Sequence, residues 1–260
     1  MKIWANCLVY NEENFIWFAV SSVILYVDKI LIWDTGSTDK TWEIINLLKE
    51  KYPDKIDINQ CGQVDKYQFT SLRQQMLDQS DCDWILILDG DEIWWNNGIK
   101  KLTEVIKKNG IAIESIVVPF YNSVGDLYHY QSENKGRYKI LGKTGHLTIR
   151  AINKTIPGLH LANPYGSEGF FDKDKREIQT RNSSKIKFLN IPYLHVTHLS
   201  RSSKAQKSGK FKYDLGQRMS DNFKLPEVFF EEFPDIIKNP FYKRSIGYKI
   251  KSLPRLLKLG

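Results

Sequence analysis

The sequence predicts an α/β fold: a mostly parallel sheet with helices on both faces, a small second sheet, and a basic helical tail. Three observations carry that expectation. Apolar, β-prone runs alternate with segments of helical spacing through the first hundred residues. The run Trp84–Leu88 is apolar throughout, as a strand covered on both faces must be. Polar clusters follow the first, second and fourth of these runs, at the strand ends where open α/β sheets bind ligands.

In chain order, Lys2–Val9 reads as the first strand and Glu12–Tyr26 as a helix, with Phe15, Phe18, Val23 and Tyr26 at helical spacing. Lys29–Trp33 is a second strand that breaks into a Gly/Ser turn. Thr38–Lys51 follows as a helix that Ser37 or Thr38 can cap and Pro53 closes. Lys55–Asn59, Gln68–Gln79 and Trp84–Leu88 continue the alternation as strand, helix and strand, and Asn97–Lys108 is a further helix. Beyond it the pattern loosens: Ile116–Tyr121 and His146–Ile152 read as strands, Pro157–Asp172 as a Gly/Pro/aromatic loop, and Ile186–Leu199 as extended. No internal repeat or linker interrupts the chain. The expected division is one domain over 1–200, with a nucleotide-binding half at 1–120 and an acceptor half at 121–200, followed by a basic extension at 201–260.

At 260 residues the chain can bury a substantial core. Its three cysteines, Cys7, Cys61 and Cys82, form no CxxC pair, which argues against a disulfide framework or a zinc site and suits a reducing cytoplasm. No signal peptide is expected at the N-terminus, and no 18-residue apolar window suggests a membrane span. The net charge of +8 lies entirely after residue 200, where 14 Lys/Arg face 6 Asp/Glu. A neutral main body argues against nucleic acid as a partner. Seven Lys/Arg and no acid, interleaved with aromatic and aliphatic residues, fill 238–260 and suit a peripheral contact with an anionic membrane surface.

The chemistry is concentrated at the strand ends. Asp89-Gly90-Asp91-Glu92 delivers carboxylates to a partly desolvated edge, where isolated charge is costly unless compensated. A divalent cation gives that compensation: Mn²⁺ or Mg²⁺ takes one or two protein carboxylates and fills other positions with phosphate oxygens. Asp34, ahead of the Gly36 turn, faces the same edge, where its carboxylate can accept the ring N–H of uracil or guanine.

Together, Tyr10-Asn11-Glu12-Glu13, the run Asp34 to Thr41, and Asp89 to Glu92 resemble the family-2 glycosyltransferases of the GT-A fold, in order and in spacing. The resemblance covers about the first 120 residues and is nearest to the branch that builds lipopolysaccharide cores and capsules. It implies transfer of a sugar from a UDP- or GDP-sugar to a glycan or lipid-linked acceptor, metal-dependent and with inversion by direct displacement. By position, Tyr10, Asn11, Glu13 and Asp34 would line the nucleoside pocket. Arg73, Asp89 and Gly90 would meet the ribose or the metal-bound diphosphate, and Asp91 would be the principal metal ligand with Asp89 as a second. The branch carries Arg-Asn on the preceding helix, where this chain has Arg73-Gln74.

An inverting enzyme needs a carboxylate to deprotonate the acceptor hydroxyl. Glu168, in a glycine-flanked aromatic loop, is the first candidate and Asp172 the second. Among later residues, His195 and His198 could complete a metal shell. They lie three apart, so an extended strand turns only one of them to the site. A sugar nucleotidyltransferase and a non-catalytic nucleotide-sugar-binding module are the rival readings. A P-loop is excluded because Gly136 and Gly142 are separated by five residues in place of four, and no GxGxxG supports a dinucleotide fold.

Overall fold

The computed structural model describes residues 1–204 and 213–253. Its first half follows the expected alternation: β1 (Ile3–Val9), α1 (Ile16–Val23), β2 (Lys29–Asp34), α2 (Thr41–Lys51), β3 (Ile56–Gln60), α3 (Lys66–Gln79) and β4 (Trp84–Leu88). Next come β5 (Glu92–Trp94), α4 (Asn96–Asn109), β6 (Ser115–Val124), β7 (His129–Tyr130), β8 (Tyr138–Ile140), β9 (Lys143–Gly145) and β10 (Leu147–Asn153). The remaining elements are β11 (His160–Ala162), β12 (Gly169–Phe171), β13 (Ile186–Phe188), β14 (Tyr193–His198), β15 (Gln217–Arg218) and α5 (Ile246–Ser252).

Among the described residues, eleven strands form one sheet with a central order β6-β10-β4-β1-β2-β3. Strands β4, β1, β2 and β3 are mutually parallel, while β10 runs antiparallel between β4 and β6. The register sets Val9 opposite Asp34 and Cys7 opposite Leu88, so the loops after β1, β2 and β4 emerge at one edge. Two-stranded sheets β11–β12 and β8–β9 complete the architecture.

Burial explains why these elements form. Every residue of β4 is buried, and Phe15, Ile16, Phe18, Val20, Val23 and Ile24 seat α1 on the principal core. The helix starts later than its periodicity suggests, because residues 10–15 belong to the loop that carries the site. Helix α3 starts earlier than expected, at Lys66, through a capping box. The Asp65 carboxylate accepts the N–H groups of Tyr67 and Gln68, and the Gln68 side chain accepts the N–H of Asp65. Helix α2 corrects another expectation: neither Ser37 nor Thr38 caps it. It starts at Thr41, whose N–H goes to Asp39, while Ser37 and Thr38 bond to Asn11 of the first loop.

The expected boundary at residue 200 falls inside the packed body. Met219, Leu225, Val228, Phe229 and Ile237 are buried in the principal core, with the ring of Phe229 4.9 Å from that of Phe18. β15 pairs with β7 in the main sheet. Of the expected basic tail, 254–260 lies outside the described residues. The part within them ends in α5, where Tyr248 is buried and Ile246 and Ile250 are exposed. No helix among the described residues is long and apolar enough to cross a membrane.

Candidate active site

The site is built on the shared edge of β1, β2 and β4. After β1 the chain turns through Asn11, which adopts the left-handed conformation at φ 54°. That turn locks the first loop to the second. The N–H of Asn11 donates to Ser37 Oγ at 2.8 Å, Asn11 Oδ1 accepts the Thr38 N–H at 2.8 Å, and the Glu12 N–H donates to Thr41 Oγ1 at 2.7 Å. Glu13 accepts the N–H groups of Lys40 (3.0 Å) and Ser203 (2.5 Å). Burial pushes the Glu13 carboxyl up, but these donors prevail and hold it below the usual glutamate value. The side chains of Asn11 and Glu13 thus brace the first loop against the second, whereas Tyr10 is 48% exposed.

Asp34 is fully buried at the end of β2. Its Oδ2 accepts the N–H groups of Gly36 (3.1 Å) and Ser37 (3.0 Å), and its Oδ1 has no hydrogen-bond partner. Gly36 holds φ 80°, and a Cβ there would come within 2.6 Å of the Gln63 amide nitrogen, so the turn requires glycine. A buried acceptor without a donor costs about 1–3 kcal/mol. Such an atom, at a ligand-binding edge, is an opening for a donor from outside the chain.

The acidic turn is wrapped in cations. Asp89 is held by Arg73 at 2.8 Å and by Arg150 of β10 at 3.4 Å. Burial pushes its carboxyl up, yet the two guanidinium groups bring it below the usual aspartate value. Glu92 pairs with Arg150, which also donates to the Tyr193 hydroxyl at 3.0 Å. Burial still pushes the Glu92 carboxyl well above its ordinary value. Asp91 meets Arg201 at 3.1 Å and His195 Nε2 at 3.5 Å, and Arg201 also pairs with Glu12. Gly90 lets this turn lie on the first loop, since a Cβ there would approach Glu12 Cγ to 2.9 Å.

The donor set bears on the expected metal. Asp91 and His195 face each other, and the second ring nitrogen of His195 is buried without a partner. Asp89 is instead clasped by arginines. His198 is buried and bonds to Asn122 at 3.2 Å, because a register shift separates it from His195 along β14. Among the described residues no group of three or more His, Cys, Asp or Glu has the spacing of a complete metal cage. An Asp–His pair fits a cation that takes few protein ligands and completes its shell with phosphate oxygens.

The loop bearing Glu168 folds over this edge. The Tyr165 ring lies 4.4 Å from that of Phe69 of α3 at a tilt of 55°, and its N–H donates to the Lys66 carbonyl. Glu168 accepts the Gly166 N–H and lies close enough to Arg73 to add to the pull of Asp89 on that guanidinium, against the effect of burial. Asp172 sits elsewhere. Its oxygens accept from the Asp174 and Arg176 amides and from the Arg176 and Arg181 guanidinium groups, and Arg181 continues to Glu114. Glu114 precedes Ser115, which pairs with Ile152, itself opposite Ile85. Glu114 is therefore level with Trp84, five residues or about 17 Å along the sheet from Asp89 at ~3.3 Å per residue. Asp172 is corrected from candidate base to structural carboxylate.

Comparison with known proteins agrees with this geometry. Residues 8–172 match the model of Glycosyl transferase family 2. The chain belongs to glycosyltransferase family 2. It is 25% identical over 191 residues to the SPbeta prophage-derived glycosyltransferase SunS of Bacillus subtilis (strain 168), a match covering 71% of this chain and 43% of that protein. The same figures hold for glycosyltransferase SunS of Bacillus phage SPbeta, so the chain spans less than half the length of these relatives. A crystal structure of S. aureus TarS 1-349 in complex with UDP-GlcNAc shares the fold, with a TM-score of 0.51 and 14% identity over 75% of this chain and 58% of that one.

Within this family-2 site, sequence reasoning missed three residues: Arg150, Tyr193 and Arg201. Arg201 closes the run that holds both late histidines, six residues after His195, so its position was available. Arg150 lies in an apolar strand, where a lone arginine is itself the signal: it is buried only because Glu92 and Asp89 meet it.

Proposed function

We propose that this family-2 domain transfers a sugar from a UDP- or GDP-sugar to a glycan or lipid-linked acceptor, with inversion at the anomeric carbon. The observation that carries the reading is the convergence, at one sheet edge, of the unfilled Asp34 Oδ1 with the Asp91–His195 pair. Asp34 Oδ1 accepts the ring N–H of the base, and Tyr10 covers the nucleoside from the solvent side. Asp91 and His195 would hold Mn²⁺ or Mg²⁺ at this edge, with diphosphate oxygens completing its shell. When bound, the cation neutralises charge on the departing diphosphate. Arg73 keeps Asp89 ionised and directs it across the turn, while Arg201 fixes Asp91 to the first loop through Glu12.

Glu168 is the proposed base. It takes the proton of the acceptor hydroxyl as that oxygen bonds to the anomeric carbon. The bond from that carbon to the diphosphate breaks in the same step, and the diphosphate leaves with the electron pair. The lipopolysaccharide-core and capsule branch remains the proposed setting, on the resemblance of the strand and acidic turn from Trp84 to Glu92.

Slow hydrolysis of the donor tests the reading without knowledge of the acceptor. Release of UDP or GDP from a panel of nucleotide-sugars should require Mn²⁺ or Mg²⁺ and stop in EDTA. Glu168→Gln should lower that release at least tenfold with donor affinity unchanged, the pattern of a group acting in the transition state. Loss of donor binding in Glu168→Gln would remove it from the role of base. Failure to turn over or bind any nucleotide-sugar would refute the function.

A further inference from the structure

A groove of about 1220 Å³ lies on the second half of the molecule, walled by residues of the loop after β6, the segment 218–230 and the segment 241–249. Its floor is aromatic: Phe223 packs edge-on to Trp95 and Tyr121, and Phe230, 70% exposed, lies 5.3 Å from Phe241. Its rim is cationic. Lys224, Lys243 and Lys249 line it, and among the described residues none of the three has an ion-pair partner.

Three carboxylates share the groove with five Lys and Arg side chains. Asp126 accepts from His129 at 2.6 Å and from the amides of Tyr128 and Arg244, Asp221 pairs with Arg218, and Glu227 accepts the Asn96 N–H. Arg244 adds a guanidinium Nε buried without a partner. The unmatched charge of the groove is therefore positive, over apolar ring faces.

The groove is tied to the donor site at two points. Trp95 donates its indole N–H to the Lys224 carbonyl at 2.8 Å, and it stands four residues after Asp91. Four extended residues span about 13 Å. Tyr242, between groove residues 241 and 243, lies in hydrogen-bond contact with the Ser200 backbone, next to Arg201. A chain lying in the groove can thus present its end to the edge that carries Asp91.

We infer that this groove holds an anionic oligosaccharide acceptor, its rings on Phe223 and Phe230 and its acidic groups on Lys224, Lys243 and Lys249. The inference rests on the glycosyltransferase reading and names the acceptor class for the same reaction. Aromatic faces suit the apolar faces of sugar rings, and the exposed lysines favour an anionic chain over a neutral one and repel a cationic one. Carboxylate and phosphate groups satisfy the same lysines.

The test uses the whole chain and fluorescently labelled probes: oligogalacturonate, its methyl-esterified neutral counterpart, and phosphorylated dextran. Oligogalacturonate or phosphorylated dextran should bind with an affinity that falls as salt rises, and whichever binds more tightly identifies the acidic group. The neutral ester should bind at least tenfold more weakly. The triple variant Lys224→Ala/Lys243→Ala/Lys249→Ala should lose at least tenfold in affinity for the acidic probe, and Phe230→Ala should weaken binding of that probe. Donor hydrolysis should be unchanged in the triple variant, which shows that the fold and the donor site are intact. Equal binding of acidic and neutral probes, or an unaltered affinity in the triple variant, overturns the inference. So does binding only to vesicles containing 30% phosphatidylglycerol, which would assign the lysines to a membrane surface. Failure of donor hydrolysis in the wild-type chain would instead count against the glycosyltransferase reading.

Discussion

Two carboxylate–arginine networks lie at opposite ends of the same sheet, and they differ in what they leave unfilled. At the back, the Asp172 oxygens accept from two amides and two guanidinium groups, and both Glu114 oxygens accept from Arg181 or Lys185. At the front, three arginines serve Asp89, Asp91, Glu92 and Glu12, yet Asp34 Oδ1, Arg73 Nε and one nitrogen of His195 have no partner. Burial and charge are common to both ends. Ser115 Oγ is also unpaired at the back, but there it is a lone hydroxyl; unmet capacity within the carboxylate–arginine cluster itself is what sets the front end apart.

Loss of Asp91, the proposed metal ligand, should have the largest effect. Asp91→Ala should lower nucleotide-sugar turnover by on the order of 10²–10³, the scale of a lost electrostatic contact to developing charge. Steady-state kinetics with Mn²⁺ reads this directly, and full activity would return Asp91 to a structural role beside Arg201. Asp34→Asn should come next. Replacing a charged acceptor at a buried hydrogen bond costs about 1.5–3 kcal/mol, or roughly ten- to a hundredfold. The loss should fall on KM for the donor with kcat nearly kept, since the base does not change in the reaction. A fall in kcat alone would argue that Asp34 does not hold the base.

The smallest effect on activity should come from the back. Asp172→Asn should leave turnover per folded molecule within about twofold. Its signature is acid stability. The folded-state carboxyl is brought down to about 2 by amide and arginine donors acting against burial, below the ordinary aspartate value of 3.8. A depressed pKa contributes stability that is present above the unfolded value and is lost as the pH falls through the folded one. Thermal melts of the wild-type chain should therefore lose a component between about pH 4 and pH 2 that Asp172→Asn lacks. Identical pH profiles for the two proteins would remove Asp172 from that role.

The same contrast explains what the sequence disclosed. Local patterns were legible: the apolar run Trp84–Leu88, the Gly36 turn and the helical spacing of α2 each specify their own conformation within a few residues. Asp34 and Asp91 could be located at one edge because they end or closely follow strands whose order was readable. What stayed hidden was pairing at long range. Arg150 meets Glu92 across 58 positions and Arg201 meets Glu12 across 189, and no spacing rule links such residues. For the same reason Asp172 read as a site carboxylate, since its neighbours Phe170 and Phe171 gave no sign that Arg181 would seal it. The segment after residue 200 read as an extension because its apolar residues, Phe229 among them, are separated by polar stretches and gather only against α1.

The central claim is that the unfilled groups at the front edge receive a nucleoside diphosphate with a divalent cation. Isothermal titration of UDP and of GDP into the whole chain, with Mn²⁺ and again in EDTA, measures this most directly. At least one nucleotide should bind with Mn²⁺, bind at least tenfold more weakly in EDTA and in Asp91→Ala, and bind Asp172→Asn as tightly as the wild type. Absence of binding by both nucleotides, or an affinity indifferent to Mn²⁺ and to Asp91, would contradict it.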